Sequence, residues 1–330
     1  MSNIDGVSFS AVKAAIRNHA RVGLHFHPDR LDTSMTPVAE NLLRDGRYRN
    51  QFETFLSNGM LSPNRGGNRD RWENDLFDGA YSDPEITPEE RPKYGALDLM
   101  QLPEGPCPRF GSCCFLLGSH ILERCTFTYM DSHRYPLEKG TIEEFDDILA
   151  ALLTESFERE FALGRVDLRP PDLIAHLRES LPLGVTDPSG KPPARNLDHY
   201  IEAQVHGEIS LAKDVDILIA DPSFRHSETG GCLERICQEY KIDLYWHCGF
   251  VLPVADIPDN FRGPDMPALG KRIGIDDRVD AAAIGVATVD LRKNPDHWSD
   301  FGTPDRTLQL MKLLWHVLVR YGNPSRNSIT

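Results

Sequence analysis

The chain lacks the sequence signatures of several large classes of protein. No apolar run approaches the roughly 18 residues needed to cross a membrane, and residues 1–21 lack the apolar core of a secretory signal. There is no GxGxxG fingerprint, no P-loop and no GxSxG elbow, so the common nucleotide-binding and hydrolase classes lose their usual support. We therefore expect no membrane partner and no export by the Sec route, although a signal-free secretion route would leave no trace in the sequence.

Paired cysteines and an excess of positive charge are also missing. The seven cysteines are an odd number without CxxC spacing, so we expect reduced, small core residues rather than a disulfide framework or a zinc knuckle. Acidic residues outnumber basic ones by 50 to 36, which gives a net charge of -14. Such a chain is repelled by a phosphate backbone, so we expect no nucleic-acid partner.

The composition and patterning that remain are those of a globular α+β protein. Hydrophobic residues make up 40% and charged residues 26% of the chain, which is ordinary for a domain with a sizeable core. Strand-like and helix-like patterns follow one another without regular alternation, so α+β fits better than a doubly wound parallel sheet. We predict one domain over residues 1–330, with core motifs at 22–253, a mostly helical insertion at 135–195 and a C-terminal extension at 254–330. This extension ends in a structural helix that Thr303 caps, with Pro304 at its first position and Gly322 as its stop.

The most informative segment is Y-I-E-A-Q-V-H-G, from Tyr200 to Gly207. Strand side chains alternate with period two, so one face of this segment is apolar and the other carries chemically active groups. The second face comprises Tyr200, Glu202, Gln204 and His206. A buried structural strand avoids a carboxylate, so Glu202 is the first candidate for a catalytic residue. The alternative is an antiparallel strand with one wetted face.

H-F-H-P-D-R, His25 to Arg30, brings two imidazoles and a guanidinium to the end of an early strand. Imidazoles at i and i+2 of a strand project to the same side, as in many metal-dependent hydrolases. His25 and His27 would then be metal ligands, but the other histidines form no second recognisable ligand motif. A hydrogen-bonded strand histidine is the structural alternative.

Three further segments stand out, at residues 48–59, 58–94 and 109–117. Y-R-N-Q-F-E-T-F-L-S-N-G, residues 48–59, is dense in hydrogen-bonding side chains, and its Arg49 is suited to a phosphate. The following stretch, residues 58–94, is rich in Gly, Asn, Asp, Pro and Arg and predicts a long ordered loop. R-F-G-S-C-C-F-L-L, residues 109–117, places the small hydroxyl of Ser112 at the start of a strand. Here a close backbone approach is the structural alternative.

Several motifs follow one another along the chain, and their order is informative. They are H-F-H-P-D-R, Y-R-N-Q-F-E-T, S-N-G, R-P-K-Y-G-A-L, R-F-G-S and Y-I-E-A-Q-V-H-G. In this order they resemble the CteC-like bacterial effector family, which ADP-ribosylates ubiquitin on threonine. The resemblance runs from about His25 to Pro253. It implies an ADP-ribosyltransferase-like split β-sandwich with NAD in the cleft between two sheets.

The resemblance also implies roles for the candidate residues. The catalytic pair would be Glu202, which stabilises the oxocarbenium ion formed when NAD loses nicotinamide, and Ser112, which orients the ribose or the glutamate. The residues implied to bind NAD are His25, His27, Arg30, Arg49, Asn50, Phe52, Tyr94, Gly111 and Gln204. Among them, Arg30 or Arg49 would neutralise the pyrophosphate and Phe52 would clamp the nicotinamide. No metal is required.

The implied activity is that of a mono-ADP-ribosyltransferase that modifies a threonine hydroxyl of ubiquitin and so blocks host ubiquitination. NAD and ubiquitin are the expected partners, and the chain would be an effector acting in the host cytoplasm. Position 200 is a tyrosine, so the strand resembles the Tyr-x-Glu pattern of poly-ADP-ribose polymerases rather than the paired glutamates of arginine-modifying transferases; Glu208 is a distant second candidate. Two alternatives stay open: a metal-dependent hydrolase built on His25 and His27, and a noncatalytic module that binds ubiquitin or a nucleotide.

Overall fold

Strands and helices alternate irregularly along the chain. The computed structural model describes residues 6–55 and 65–325, with side chains from residue 9 onward. The predicted S-N-G motif, residues 57–59, lies outside the described residues. The strands are β1 (Arg21–Phe26), β2 (Arg47–Tyr48), β3 (Lys93–Asp98), β4 (Cys113–Leu117), β5 (Cys125–Tyr129), β6 (Lys139–Thr141), β7 (Phe161–Ala162), β8 (Arg165–Val166), β9 (Ile201–Val205), β10 (Ile209–Ser210), β11 (Val215–Ala220), β12 (Asp243–Trp246), β13 (Leu252–Pro253) and β14 (Arg278–Val279). The α-helices are α1 (Gly6–His19), α2 (Val38–Asp45), α3 (Gln51–Thr54), α4 (Asn68–Leu76), α5 (Asp146–Arg159), α6 (Pro170–Ala175), α7 (Leu211–Asp214), α8 (Glu228–Tyr240), α9 (Met266–Ile273), α10 (Ala281–Lys293) and α11 (Pro304–Tyr321).

The central element is an eight-stranded mixed sheet in the order β12, β11, β4, β1, β3, β9, β5, β6. Neighbouring strands are antiparallel except for β11 and β12, which are parallel. Helix α8 connects these two strands, because a parallel pair requires a crossover. The sheet with its surrounding helices confirms the predicted α+β class.

Strands β1 and β3 separate along their length. Their register covers three residue pairs and ends at Gly23 and Ala96. Beyond that point β1 continues against β4, while residues 93–95 of β3 continue against β9. A gap therefore opens within the sheet between the ends of β1 and β3.

One face of the sheet packs into the main hydrophobic core, where Ile201, Ala203 and Val205 of β9 are fully buried. Burying a valine or isoleucine side chain stabilises the fold by about 1.5–3 kcal/mol. Tyr200 and Glu202 lie on the other face, so the predicted alternation is confirmed. The wetted-face alternative is wrong, because Glu202 is only 5% exposed and Gln204 only 1%.

Helix α11 begins and ends where the sequence predicts. The Thr303 hydroxyl accepts the Arg306 N–H at 3.3 Å, Pro304 is the first helical residue, and Gly322 follows the last one. These signals act within one turn of the helix end, so they were readable without tertiary information.

The predicted loop over residues 58–94 is wrong in its described part, which contains α4 and the start of β3. The sequence of α4 is too polar to show a helical period. Its Trp72 and Glu73 are nevertheless buried, so tertiary contacts hold the helix where local propensity is weak. Buried charged residues thus concealed this helix from pattern analysis.

Three smaller observations concern the insertion, the cysteines and membranes. The segment predicted as a helical insertion contains α5 and α6 with the short hairpin of β7 and β8. All seven cysteines are buried, which confirms the prediction that they are core residues, and the structure pairs none of them in a disulfide. Within residues 6–55 and 65–325, no helix is long and apolar enough to span a bilayer.

Candidate active site

A cavity of about 460 Å³ opens where β1 and β3 separate. Gly23 and His25 of β1 line it on one side, and Tyr94 and Ala96 of β3 line it on the other, beside Glu202 of β9. The volume is within the range of small-molecule and cofactor sites.

Most of the predicted site residues meet at this one cavity. Those that line it are His25, His27, Arg30, Arg49, Asn50, Tyr94 and Glu202. The remaining predicted residues do not reach its wall: Phe52, Gly111, Ser112 and Gln204. The lining residues are far apart in the sequence, so their convergence depends on β1, β3 and β9 being successive strands of the sheet.

Glu202 is buried among hydrogen-bond donors. The Ser132 hydroxyl donates to Glu202 Oε1, and Gln204 Nε2 donates to the same oxygen at 2.9 Å. Burial, and after it the nearby Asp131 carboxylate, raises the pKa of Glu202 to about 7, although both hydrogen bonds act in the opposite direction. A cavity carboxyl group that titrates near neutral pH is typical of a catalytic residue.

Ser132, rather than Ser112, is the serine that contacts Glu202. It lies in the turn Ser132–Arg134 after β5, where the Asp131 carboxylate accepts the His133 N–H at 3.0 Å. Ser112 instead lies 3.3 Å from His27 Nδ1. Sequence patterns missed Ser132 because the register of β5 with β9 brings it to Glu202; the only available signal was a D-S-H turn after an apolar strand.

Gly111 allows a close backbone approach within the R-F-G-S motif. A Cβ atom at this position would lie 2.3 Å from the Phe26 backbone nitrogen, so only glycine lets this segment pass against β1. The motif therefore makes a close backbone contact, which is the structural alternative given above to a functional role. Neither Gly111 nor Ser112 lines the cavity.

His25 is held as a neutral imidazole. Its Nε2 accepts the Cys107 N–H at 3.1 Å, and its Nδ1 lies 3.3 Å from the Gly111 carbonyl oxygen. This pairing requires one protonated and one unprotonated ring nitrogen, and burial lowers the pKa of His25 to about 3. Both nitrogens thus fasten residues 107–111 to β1.

In the part of the chain that the structure describes, no group of three or more His, Cys, Asp or Glu side chains is arranged to hold a metal ion.

An aromatic and cationic patch forms the wall near β3. The rings of Trp72 and Tyr94 lie 5.2 Å apart, and the Arg69 guanidinium lies 4.7 Å from the centroid of the Tyr94 ring. Behind this patch, the buried Glu73 carboxylate pairs with Arg91 at 3.1 Å. Trp72 lines the cavity, and its buried Nε1 has no hydrogen-bond partner among the described residues.

A capping box fixes the segment after β2. The Asn50 side chain accepts the N–H groups of Phe52 and Glu53 at 2.8 and 3.1 Å, and the Glu53 carboxylate accepts the Asn50 N–H at 2.9 Å. Phe52 is packed inward, where the Arg91 guanidinium lies 4.1 Å from its ring centroid. Asn50 lines the cavity, while Phe52 supports the wall from behind.

The cavity wall is cationic although the chain is acidic. Among the described residues, seven Lys and Arg line it against four Asp and Glu. They are Arg30, Arg47, Arg49, Arg69, Lys93, Arg109 and Lys312, with Asp32, Asp45, Asp131 and Glu202. In a partly enclosed cavity this balance favours an anionic ligand. Sequence patterns missed Arg69, Arg109 and Lys312, which three separate segments of the chain supply.

Comparisons with known proteins give a family but no activity. A family model described as "Protein of unknown function (DUF3626)" matches residues 21–321. The match runs from the first residue of β1 to the last residue of α11, and so covers the sheet and every element that lines the cavity. No curated protein matches the chain.

Proposed function

Since the chain belongs to the DUF3626 family, whose function is unknown, we propose a function from its own residues, that of a mono-ADP-ribosyltransferase. In this proposal the enzyme cleaves NAD, its co-substrate, and transfers ADP-ribose to a threonine hydroxyl of ubiquitin. The observation that carries the proposal is the buried Glu202 carboxyl group on the wall of a cationic cavity.

The reaction needs a negative charge beside the ribose. When the bond between nicotinamide and ribose breaks, its electron pair leaves with nicotinamide and positive charge develops on the ribose. The carboxylate of Glu202 would stabilise this charge, and its fixed place in a central strand limits the cost of reorganisation. The threonine oxygen then bonds to the ribose carbon and releases its proton. With a pKa of about 7, Glu202 is matched to accept that proton near neutral pH.

The separation of β1 and β3 supports an ADP-ribosyltransferase-like fold. In a split β-sandwich, NAD lies between two groups of strands. Here the group β12, β11, β4, β1 diverges from the group β3, β9, β5, β6 beyond Gly23 and Ala96. The cavity lies at this division and has His25 and Tyr94 on opposite sides, which agrees with a dinucleotide bound across it.

The choice of ubiquitin as acceptor rests on the ordered motifs, from H-F-H-P-D-R to Y-I-E-A-Q-V-H-G. It carries with it the role of an effector acting in the host cytoplasm. A threonine hydroxyl is a weak nucleophile, so a carboxylate that takes its proton suits this acceptor.

Incubation of the full chain with NAD and ubiquitin, followed by mass spectrometry, tests the proposal. We expect release of nicotinamide and a ubiquitin adduct of one ADP-ribose on a threonine. Release of nicotinamide without an adduct would keep the NAD chemistry and overturn the acceptor. Binding of NAD without release of nicotinamide would instead favour a noncatalytic module. Cleavage of NAD that stops when a metal chelator is added would favour a hydrolase built on His25 and His27.

Substitution Ser132→Ala is expected to move the pH profile of NAD cleavage upward. The reaction uses ionised Glu202, so the rate should rise with pH through about 7 as the carboxyl group loses its proton. The hydrogen bond from Ser132 lowers this pKa. Losing a bond worth about 1 kcal/mol to the carboxylate should raise the midpoint by roughly half a unit to one unit. The measurement is the initial rate of nicotinamide release as a function of pH.

Substitution Ser112→Ala is the matched control for this profile. Ser112 contacts His27 and not Glu202, so the midpoint should stay where it is in the unmodified chain. A midpoint that moves in Ser112→Ala but not in Ser132→Ala would reverse the assignment of the two serines.

A further inference from the structure

The last helix presents a polar stripe toward the cavity. Helix α11 buries mostly apolar residues, yet Gln309, Lys312 and His316 follow one another at i, i+3 and i+7 and so share a face. Gln309 and Lys312 line the cavity, and His316 is 2% exposed. A helix that only packs on the core carries apolar residues on its buried face, so this polar stripe indicates a further role.

Arg109 lies next to the stripe, on the turn that begins at Pro108. Trp315 Nε1 donates a hydrogen bond to the Pro108 carbonyl oxygen at 2.7 Å, which ties α11 to that turn. Arg109 pairs with Asp198 at 2.5 Å, and Arg262 pairs with the same carboxylate at 3.3 Å. One carboxylate thus pairs with two guanidinium groups, so Arg109, Arg262 and Asp198 together keep a net positive charge.

Lys312 has no counter-ion of its own. Within the described ranges it forms no hydrogen bond and no salt bridge. Burial, followed by the repulsion of Arg109 and Arg30, lowers the pKa of Lys312 to about 8, while Asp131 acts in the opposite direction. A half-buried ammonium group among guanidinium groups is costly unless an anion joins it.

Other cations of the wall already have protein partners. Arg47 pairs with Glu53 at 2.7 Å, and Arg49 pairs with Asp45. Lys93 donates to three backbone carbonyl oxygens, including that of Gly207 at 3.0 Å. Among the lining cations that the structure describes, Lys312 is therefore the one that forms no hydrogen bond and no salt bridge, and it lies on the α11 side of the cavity.

We propose that Lys312 and Arg109, together with Arg30, form an anion subsite that binds the diphosphate of a nucleotide. The inference deepens the proposed function and rests on it only for the identity of the nucleotide as NAD. A diphosphate fits this cluster because it spreads its charge over several oxygens, which a divided group of one ammonium and two guanidinium ions can contact together. It also assigns a binding role to α11, a helix outside the motifs that carry the resemblance.

Isothermal titration of the full chain with ADP, inorganic diphosphate and adenosine tests the subsite. Substitution Lys312→Gln is expected to weaken the binding of ADP and of diphosphate by about tenfold or more, because it removes a charge-assisted contact. Adenosine carries no phosphate, so its affinity should not change. Lys312→Arg keeps the charge and should retain most of the affinity for ADP.

Arg320→Gln is the matched control, because Arg320 is an exposed cation on the same helix and does not line the cavity. It should leave all three affinities unchanged. The subsite is overturned if Lys312→Gln binds ADP as well as the unmodified chain does, or if it loses adenosine affinity to the same degree. Should Lys312→Gln not fold, the unmodified chain decides: diphosphate must displace ADP, and a failure to do so overturns the subsite.

The same variants separate the subsite from the proposed reaction. ADP that binds through Lys312, in a chain that does not consume NAD, would remove the transferase and keep the subsite. Release of nicotinamide with an unchanged KM for NAD in Lys312→Gln would keep the transferase and remove the subsite.

Discussion

Substitution Glu202→Gln is expected to lower the rate of nicotinamide release from NAD by about 10³-fold, at unchanged affinity for ADP. Glutamine matches the shape of glutamate and can still accept the Ser132 and Gln204 hydrogen bonds, but it carries no charge. The loss therefore falls on the step in which positive charge develops on the ribose. The measurement is a single-turnover assay of nicotinamide release at about pH 8, where most of the Glu202 carboxyl groups, with a pKa of about 7, are ionised.

Glu208→Gln is the control for that experiment. Glu208 is the next glutamate along the chain, but it is exposed and does not line the cavity. It should retain the full rate. The role of Glu202 would be refuted by a Glu202→Gln variant that keeps the rate, and Glu208 would replace it if its variant alone lost activity.

Substitution Arg91→Met is expected to lower the free energy of unfolding by about 3–5 kcal/mol. Arg91 is 3% exposed, and its guanidinium pairs with the fully buried Glu73 at 3.1 Å and with Asp70. Removing the guanidinium leaves the buried carboxylate with only the more distant Arg69, at 3.8 Å, and it also removes the cation over the ring of Phe52. The measurement is a denaturant titration at neutral pH, read by circular dichroism.

Two variants decide whether the lost ion pair is the cause. Arg71→Met removes an exposed arginine of α4, the helix that carries Glu73, and should change stability by less than about 0.5 kcal/mol. The double variant Glu73→Gln with Arg91→Met removes both charges and should recover part of the lost stability. Equal stability of the single and double variants would show that the cost comes from lost packing alone.

Local signals accounted for a definite part of the fold. The alternation of β9 was readable because strand side chains change faces at every residue. The ends of α11 were readable because a threonine cap, an early proline and a following glycine act on their own turn. Helix α4 was not readable, because Trp72 and Glu73 become favourable helix positions only when the rest of the chain buries them.

The candidate site also contains residues that the sequence predicts and residues whose placement only the structure shows. Glu202, His25 and Arg49 were predicted from residue types within single segments and Tyr94 from the resemblance, and all four line the cavity. Phe52 belongs to an equally suggestive segment, but the capping box at Asn50 turns that segment so that the ring packs inward. The chemistry of a side chain can be read from the sequence, whereas its direction depends on the geometry of its neighbours.

By itself the sequence determined the α+β class, the strand that carries Glu202 and the limits of α11, because these depend on residues close together along the chain. Only the tertiary structure decided that Ser132 rather than Ser112 contacts Glu202, that β1 and β3 diverge to open the cavity, and that Lys312 faces it. Strand register and helix docking are set by the packing of the whole core, and no short stretch of sequence contains that information.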